Sequence, residues 1–107
     1  MSWNGTEKFP LGTFTVLEKA PPESGVYALY AGRKWVYVGQ SENIQLRLLR
    51  HLNGPDACII THDVTSFAYE LTPAEARLTR QDELIAEYRP ACRGNDLISR
   101  EPADRSR

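Results

Sequence analysis

Two short triplets of glycine, valine and tyrosine, in mirrored order, constrain this chain more than any other feature of its sequence. Gly25-Val26-Tyr27 comes first, and Tyr37-Val38-Gly39 follows. Two β-prone runs, over residues 26–30 and 34–38, are joined by Ala31-Gly32-Arg33, and a three-residue loop with a central glycine is typical of a tight hairpin. The triplets therefore predict a single β-hairpin that carries two tyrosines.

A loop over residues 31–33 also predicts the register of that hairpin. Tyr30 would face Lys34, and Tyr27 would face Tyr37. Directly opposed residues project to the same face of a sheet, so the phenols of Tyr27 and Tyr37 would lie side by side. The opposite face would then be formed by small apolar residues, namely Val26, Ala28, Val36 and Val38.

A helix is expected directly after the hairpin. Ser41 is a typical N-cap and Asn53-Gly54-Pro55 is a typical end, which predicts a helix over about residues 42–52. Two series recur every four residues and therefore mark two faces of this helix. One face is apolar and the other polar: Ile44, Leu48 and Leu52 on the first, Asn43, Arg47 and His51 on the second.

The remaining segments predict two further strands and a second helix. Residues 13–17 and 67–71 are expected as strands, with residues 54–65 as a loop between the first helix and the second of these strands. Thr72-Pro73-Ala74-Glu75 is a capping box with proline at the first helical position, and the helix should run to about Tyr88. We expect one α+β domain over residues 1–92, with its motif-bearing core at about 24–92, and a polar tail over 93–107.

The charge balance excludes a strongly basic protein. The chain has 107 residues, with 13 lysines and arginines against 14 aspartates and glutamates, and a formal net charge of −1. The chain therefore lacks the overall positive field that would indicate a nucleic-acid partner. A local basic patch is nevertheless present, because residues 25–52 contain one acidic residue, Glu42, and four basic residues: Arg33, Lys34, Arg47 and Arg50.

The cysteines and the hydropathy pattern indicate in which cellular compartment the protein is expected. Cys58 and Cys92 lie far apart and without the spacing of metal ligands, so we expect two free thiols in a reducing compartment. No apolar run approaches membrane-spanning length, and the N-terminal residues lack the pattern of a signal peptide. These features predict a soluble, cytoplasmic protein that does not contact membranes.

The hairpin and the following helix together suit a phosphodiester as substrate. Arginine can clamp a phosphate, and tyrosine or histidine can take part in proton transfer. A carboxylate that holds a divalent cation would assist the leaving oxygen. Each feature also has a simpler interpretation, because paired tyrosines often serve cross-strand packing and an arginine with a histidine often forms a solvated helix face.

These residues resemble the GIY-YIG nuclease superfamily, which is named for two triplets on a hairpin. Both triplets match with valine in place of isoleucine, and the segments 40–48 and 84–90 resemble the family's first-helix motif and its closing segment. The resemblance implies a three-stranded antiparallel sheet flanked by helices, and hydrolysis of DNA with Mg²⁺ or Mn²⁺. It implies that Tyr27 or Tyr37 helps to activate water, that Arg47 stabilises the phosphate, and that His51 supports proton transfer.

The same resemblance extends to DNA contacts and to the metal position. Basic and polar side chains near the hairpin would bind DNA: Arg33, Lys34, Asn43 and Arg50. The family's metal ligand is a glutamate, and the matching position holds Gln81, a neutral amide; hard divalent cations prefer carboxylates. An apolar stripe of Leu78, Ile85 and Tyr88 on this helix would include Gln81. Glu83 lies two residues beyond Gln81 and would point away from this stripe, so Asp82 is the alternative metal ligand. Gln81 could equally be a buried residue that hydrogen bonds to a neighbour.

Two functions of different class follow from these observations. The first is a divalent-metal-dependent DNA endonuclease, supported by the hairpin together with Arg47 and His51. The second is a degenerate member that binds DNA or a protein partner without cutting, which Gln81 and the net charge favour. A near-neutral chain of this size makes few phosphate contacts, so a protein partner that supplies DNA affinity is a further expectation.

Overall fold

The computed structural model of the protein describes residues 7–54 and 57–92. The tail predicted over residues 93–107 lies outside the described residues. The described elements, in chain order, are β1 Phe9–Pro10, α1 Thr13–Lys19, β2 Gly25–Ala31, β3 Lys34–Ser41, α2 Ile44–Asn53, α3 Ala57–Thr61, β4 Ser66–Leu71, a 3₁₀ turn Ala74–Ala76, and α4 Arg77–Tyr88.

The strands form one antiparallel sheet in the order β1-β4-β2-β3. The predicted α+β class is confirmed, and the sheet differs from the expectation by one additional two-residue strand, β1. Helices cover both faces. On one face, Tyr27 and Leu29 of β2 pack in a core with Ile44 and Leu48 of α2. On the other face, the alternate residues of β2 pack with Leu84 of α4: Val26, Ala28 and Tyr30.

The predicted hairpin is present, but its predicted register is wrong. The loop has two residues, Gly32 and Arg33, and Gly32 adopts a positive φ of 64°, which glycine tolerates without steric cost. A two-residue loop alone would place the two tyrosines on opposite faces. An irregularity opposite the Leu29–Tyr30 step leaves an extra residue in β3, and this bulge returns Tyr37 to the face of Tyr27.

The bulge also changes which residues share a face. Tyr27 pairs with Gly39, and Tyr37 pairs with Leu29, so the tyrosines are diagonal neighbours rather than opposed residues. Val36 packs in the core with Tyr27 and not, as predicted, with Val26. The two phenols therefore lie close together as expected, but because of the bulge in β3, which the triplets do not predict.

Two expectations about the other segments were wrong. Residues 13–17, expected as a strand, begin helix α1, in which Val16 is buried and Phe14 is exposed. Aromatic and β-branched residues favour strands only weakly, and in the folded chain Val16 of this segment packs in the core on the α2 side of the sheet. The expected loop over 54–65 contains the short helix α3, which buries Ile59 and exposes Ile60.

The two predicted helices are confirmed, with different starts. Helix α2 begins at Ile44, because the side chain of Asn43 accepts a hydrogen bond from the Leu46 amide and thereby caps the helix, while Ser41 ends β3. Helix α4 begins at Arg77 after the 3₁₀ turn, and no side chain caps it.

The predicted apolar stripe of α4 was wrong at one position. Leu78 is 61% exposed, and the buried residues of the helix are Arg80 and Leu84. The Arg80 guanidinium forms two hydrogen bonds with the Glu70 carboxylate of β4, at 2.8 Å and 2.9 Å, and this bond to Glu70 raises the pKa of Arg80. An ion pair in place of an apolar contact thus fixes this part of α4 on the sheet.

The expectation of two free thiols was also wrong. Cys58 of α3 and Cys92, which follows α4, form a disulfide across 34 residues of sequence. A separation of that length gives no sequence signal for pairing. The backbone brings the two together, because the Cys92 amide donates to the Val36 carbonyl in β3 and so returns the chain to the sheet beside α3. A disulfide is more typical of oxidising surroundings than of the reducing compartment expected from the sequence.

Among the described residues, no helix has both the length and the apolar character needed to cross a membrane.

Candidate active site

Two tyrosines and a histidine form a compact cluster on the α2 side of the sheet. The Tyr27 hydroxyl lies 2.8 Å from Nε2 of His51, in hydrogen-bond contact. The ring centroids of Tyr27 and Tyr37 are 6.0 Å apart, and both rings meet the His51 imidazole edge-on at 5.6 Å and 5.3 Å. Three elements, β2, β3 and α2, therefore each contribute one side chain to a single group.

Gly39 makes this cluster possible. A Cβ atom at position 39 would lie 2.5 Å from the Tyr27 hydroxyl oxygen and 2.8 Å from the Tyr37 ring. Both distances are shorter than real Cβ contacts, so the Tyr27 side chain occupies the space that any other residue would fill. The glycine of the second triplet thus allows close approach of a tyrosine ring.

Tyr27 is held as a neutral phenol. Its side chain is completely buried, and this burial raises its pKa well above 10, with a further increase from the nearby Tyr37. The guanidinium of Arg47 acts in the opposite direction, through its charge and through hydrogen bonding, but does not offset burial. At neutral pH, Tyr27 can therefore donate its proton to a neighbour but is not itself an anion.

We expect Tyr27→Phe to change the alkaline limit of stability. The unfolded chain loses the Tyr27 proton near pH 10, whereas the folded chain keeps it. The folded state then binds more protons than the unfolded state, so stability is fully present below about pH 10 and is lost as the pH rises above it. Between about pH 9 and pH 11, wild type should lose stability relative to Tyr27→Phe in urea unfolding; parallel curves would contradict a buried neutral phenol.

A positively charged cleft of about 250 Å³ lies at the end of β3 and the start of α2. Its charged lining consists of Arg47, Arg50 and Arg77 against Glu42. Arg47 connects the cleft to the cluster, because its guanidinium interacts with the Tyr27 phenol. A phosphate bound here would meet guanidinium groups on one side and the tyrosines with His51 beyond them.

Arg77 is a cleft residue that the sequence reasoning missed. Its side chain donates to the Gln40 amide oxygen at 2.8 Å and to the Ser24 hydroxyl at 3.1 Å, so the first turn of α4 is attached to the ends of β2 and β3. A signal was available in the sequence, because Arg77 precedes Gln81 by four residues and must share its helix face.

The other DNA-binding candidates divide into two groups. Asn43 and Arg50 line the cleft, although the Asn43 side chain also caps α2. Arg33 and Lys34 lie at the hairpin turn, the opposite end of β2 and β3 from the cleft, roughly 20 Å away for strands of this length. Lys34 instead lies 3.2 Å from Nδ1 of His62. The structure thus brings two of these four residues to the candidate site.

The residues at the expected metal position do not fit a divalent cation. Gln81 is half-buried on α4 and offers only the neutral oxygen of its amide. Leu84 of the same helix packs on the face of the sheet opposite Tyr27. Asp82 is exposed, and Glu83 pairs with Arg80 at 3.1 Å. Arg77 adds a positive charge one turn away. A hard cation would gain no carboxylate from Gln81 and would be repelled by Arg77.

Comparison with known proteins shows that the chain is similar to UvrABC system protein C. The chain is 29% identical over 80 residues to the UvrABC system protein C of Fervidobacterium nodosum, and 30% identical over 81 residues to that of Aquifex aeolicus. These matches cover 72% and 70% of this chain but 14% of each relative, so the chain spans about a seventh of their length. No family model matches the chain.

Solved structures agree with these relatives at the level of the fold. The magnesium-bound GIY-YIG N-terminal endonuclease domain of UvrC from Thermotoga maritima superposes with a TM-score of 0.61 at 22% identity, over 71% of this chain and 92% of that domain. A point mutant of that domain, bound to its catalytic divalent cation, gives a TM-score of 0.62 at the same identity and covers 71% and 91%. By its two triplets, its fold and its sequence similarity to UvrC, the chain belongs to the GIY-YIG superfamily.

Proposed function

We propose that this chain is a DNA-binding module of the GIY-YIG endonuclease type, and that its cleft holds a DNA phosphodiester. The observation that carries the proposal is the convergence of three guanidinium groups, from Arg47, Arg50 and Arg77, in one cleft beside the Tyr27–His51 pair. Planar guanidinium groups match phosphate oxygens in geometry and remain charged at all relevant pH values. Similarity to UvrC makes DNA repair the setting that we propose for it.

Affinity for DNA should be modest and sensitive to salt. A net charge of −1 provides no long-range attraction, and the cleft offers three cationic contacts. The curated relatives are several times longer than this chain, which is consistent with a module that relies on further chain or on a partner protein for tight binding. The partner expected from the sequence therefore stays part of the proposal.

A direct test compares two exposed arginines, one on α2 in the cleft and one at the distant hairpin turn. Arg50→Ala, in the cleft, should weaken binding of a labelled DNA duplex in the presence of EDTA and lower the slope of log affinity against log salt by about 0.9. Arg33→Ala, at the hairpin turn, should match wild type. Fluorescence anisotropy over a salt series measures both. Equal or greater weakening by Arg33→Ala would place the DNA elsewhere.

Hydrolysis of the bound phosphodiester is the second candidate function, favoured by the 2.8 Å contact between Tyr27 and His51. The half-buried imidazole of His51, held in place by the neutral phenol of Tyr27, would accept a proton from an attacking water. Tyr37 would orient the same water, and Arg47 would stabilise the charge that develops on the phosphate.

The UvrC domains of this superfamily bind a catalytic divalent cation, magnesium in one structure. This chain offers Gln81 at the corresponding position, and the neutral amide of Gln81 brings no negative charge to a cation. The site of this chain thus consists of a phosphate-binding half that is complete and a cation-binding half that lacks its carboxylate. In this account, the chain binds DNA more readily than it cuts DNA.

A further inference from the structure

Three metal-ligating side chains meet at a second place, away from the cleft. Cys58, His62 and Cys92 have ligand atoms that all lie within 4.8 Å of one another. They form the only group of three or more cysteine, histidine or acidic side chains within ligand distance among residues 7–54 and 57–92. Two sulfurs and one imidazole are the ligand types that zinc prefers.

We propose that this group is a redox-gated zinc site: the oxidised chain holds the Cys58–Cys92 disulfide, and the reduced chain binds Zn²⁺ through Cys58, His62 and Cys92. A water molecule would complete the tetrahedron, as in zinc sites with three protein ligands. The two states exclude each other, because the same sulfur atoms either bond to one another or coordinate the metal.

The backbone places the three ligands for chelation before any metal binds. Cys58 and His62 are four residues apart, and the His62 amide donates to the Cys58 carbonyl at 3.2 Å, so both side chains emerge from the same side of one helical turn. Cys92 is buried, and its amide donates to the Val36 carbonyl of β3. Both cysteines are therefore anchored by elements that do not depend on the disulfide.

The distances allow both states with little movement. The Cα atoms of Cys58 and Cys92 are 5.9 Å apart. Two thiolates on tetrahedral zinc, each about 2.3 Å from the metal, have sulfurs about 3.8 Å apart, a separation that side-chain rotation can supply. Lys34 is 3.2 Å from Nδ1 of His62 and is exposed, so it can move away when that nitrogen is needed.

The switch consists of a two-electron thiol–disulfide exchange followed by metal binding. An external dithiol reduces the disulfide, transfers two electrons and two protons to it, and becomes a disulfide itself. Zn²⁺ then displaces both thiol protons. The resulting site contains one dication, two thiolates and a neutral imidazole, so its net charge is zero. An oxidant of the disulfide class reverses the sequence and releases the metal.

Cobalt reports directly on such a site. Chain reduced with a phosphine under nitrogen should bind one Co²⁺, with intense visible bands of tetrahedral geometry and thiolate-to-cobalt charge-transfer bands, and added Zn²⁺ should abolish both. Oxidised chain should give neither signal. His62→Ala should weaken the affinity by roughly tenfold or more, since even supporting partners of metal ligands cost 10–100-fold.

The matched control is Asp63→Asn, which removes an exposed carboxylate next to His62 at a position with a positive φ of 53° that asparagine tolerates. This variant should bind Co²⁺ as wild type does. Absence of the bands from reduced wild type, or equal affinity in His62→Ala, would overturn the proposal. His62 is only half-buried, so its variant reports on binding even if a cysteine variant fails to fold.

Discussion

Arg80→Met should lower the free energy of unfolding by about 3 kcal/mol or more. The side chains of Arg80 and Glu70 are only 10% and 12% exposed, and they share two hydrogen bonds. Methionine keeps an apolar stem on α4 but leaves the Glu70 carboxylate without its main cation. A carboxylate with so little solvent access is costly when it loses its partner, and α4 loses its attachment to β4.

Glu83→Ala is the matched control for this prediction. Glu83 also pairs with Arg80, at 3.1 Å, but its side chain is 52% exposed and is screened by water. Its loss should cost less than about 1 kcal/mol. Urea unfolding followed by circular dichroism gives both values. A cost for Arg80→Met no larger than that of Glu83→Ala would mean that the buried pair does not hold α4.

Gly39→Ala should both destabilise the fold and disrupt the site. The new methyl group would lie 2.5 Å and 2.6 Å from the hydroxyl oxygen and Cζ of Tyr27, and 2.8 Å from the Tyr37 ring. Tyr27 is completely buried and cannot swing away. Overpacking of this kind costs about 1–3 kcal/mol, and the Tyr27–His51 hydrogen bond should lengthen or break.

Gly12→Ala provides the comparison, because a Cβ at position 12 would meet no atom within 4 Å and the backbone there is extended. Its cost should stay below about 1 kcal/mol, the scale of a helix N-cap change. The His51 ring signals in NMR spectra should shift in Gly39→Ala and stay in place in Gly12→Ala. Unchanged His51 signals in Gly39→Ala would contradict the close packing described for this cluster.

The elements that the sequence predicted well are those with strong periodicity and clear ends. Helix α2 has Ile44 and Leu48 four residues apart on its buried side and is capped at its C-terminus by Gly54. In β4 the aromatic residues Phe67 and Tyr69 alternate with Ala68 and Glu70. Segments without such signals were assigned wrongly. Helix α1 has one buried residue, Val16, and helix α3 has one, Ile59, so neither has the repeated apolar positions that identify a helix.

The central cluster of the candidate site was predictable in its members but not in its geometry, and the cleft residue Arg77 was missed. Tyr27, Tyr37, Arg47 and His51 follow from the two triplets and the four-residue spacing on α2. The register does not, because the bulge in β3 that leaves Val36 in the core has no local signature in the sequence. Long-range pairs were equally hidden: Arg77 with Gln40, Arg80 with Glu70, and Cys58 with Cys92 join residues that only the completed fold brings together.

We propose that the phosphate-binding half of this site is complete and that the cation-binding half lacks a carboxylate. Nicking of supercoiled plasmid in Mg²⁺, measured for wild type, Gln81→Glu and the double variant Gln81→Glu/Arg47→Ala, tests it most directly. A carboxylate at position 81 should raise the rate over wild type by at least roughly tenfold, and loss of Arg47 should remove the gain. Wild type that cuts as fast as Gln81→Glu would contradict the claim.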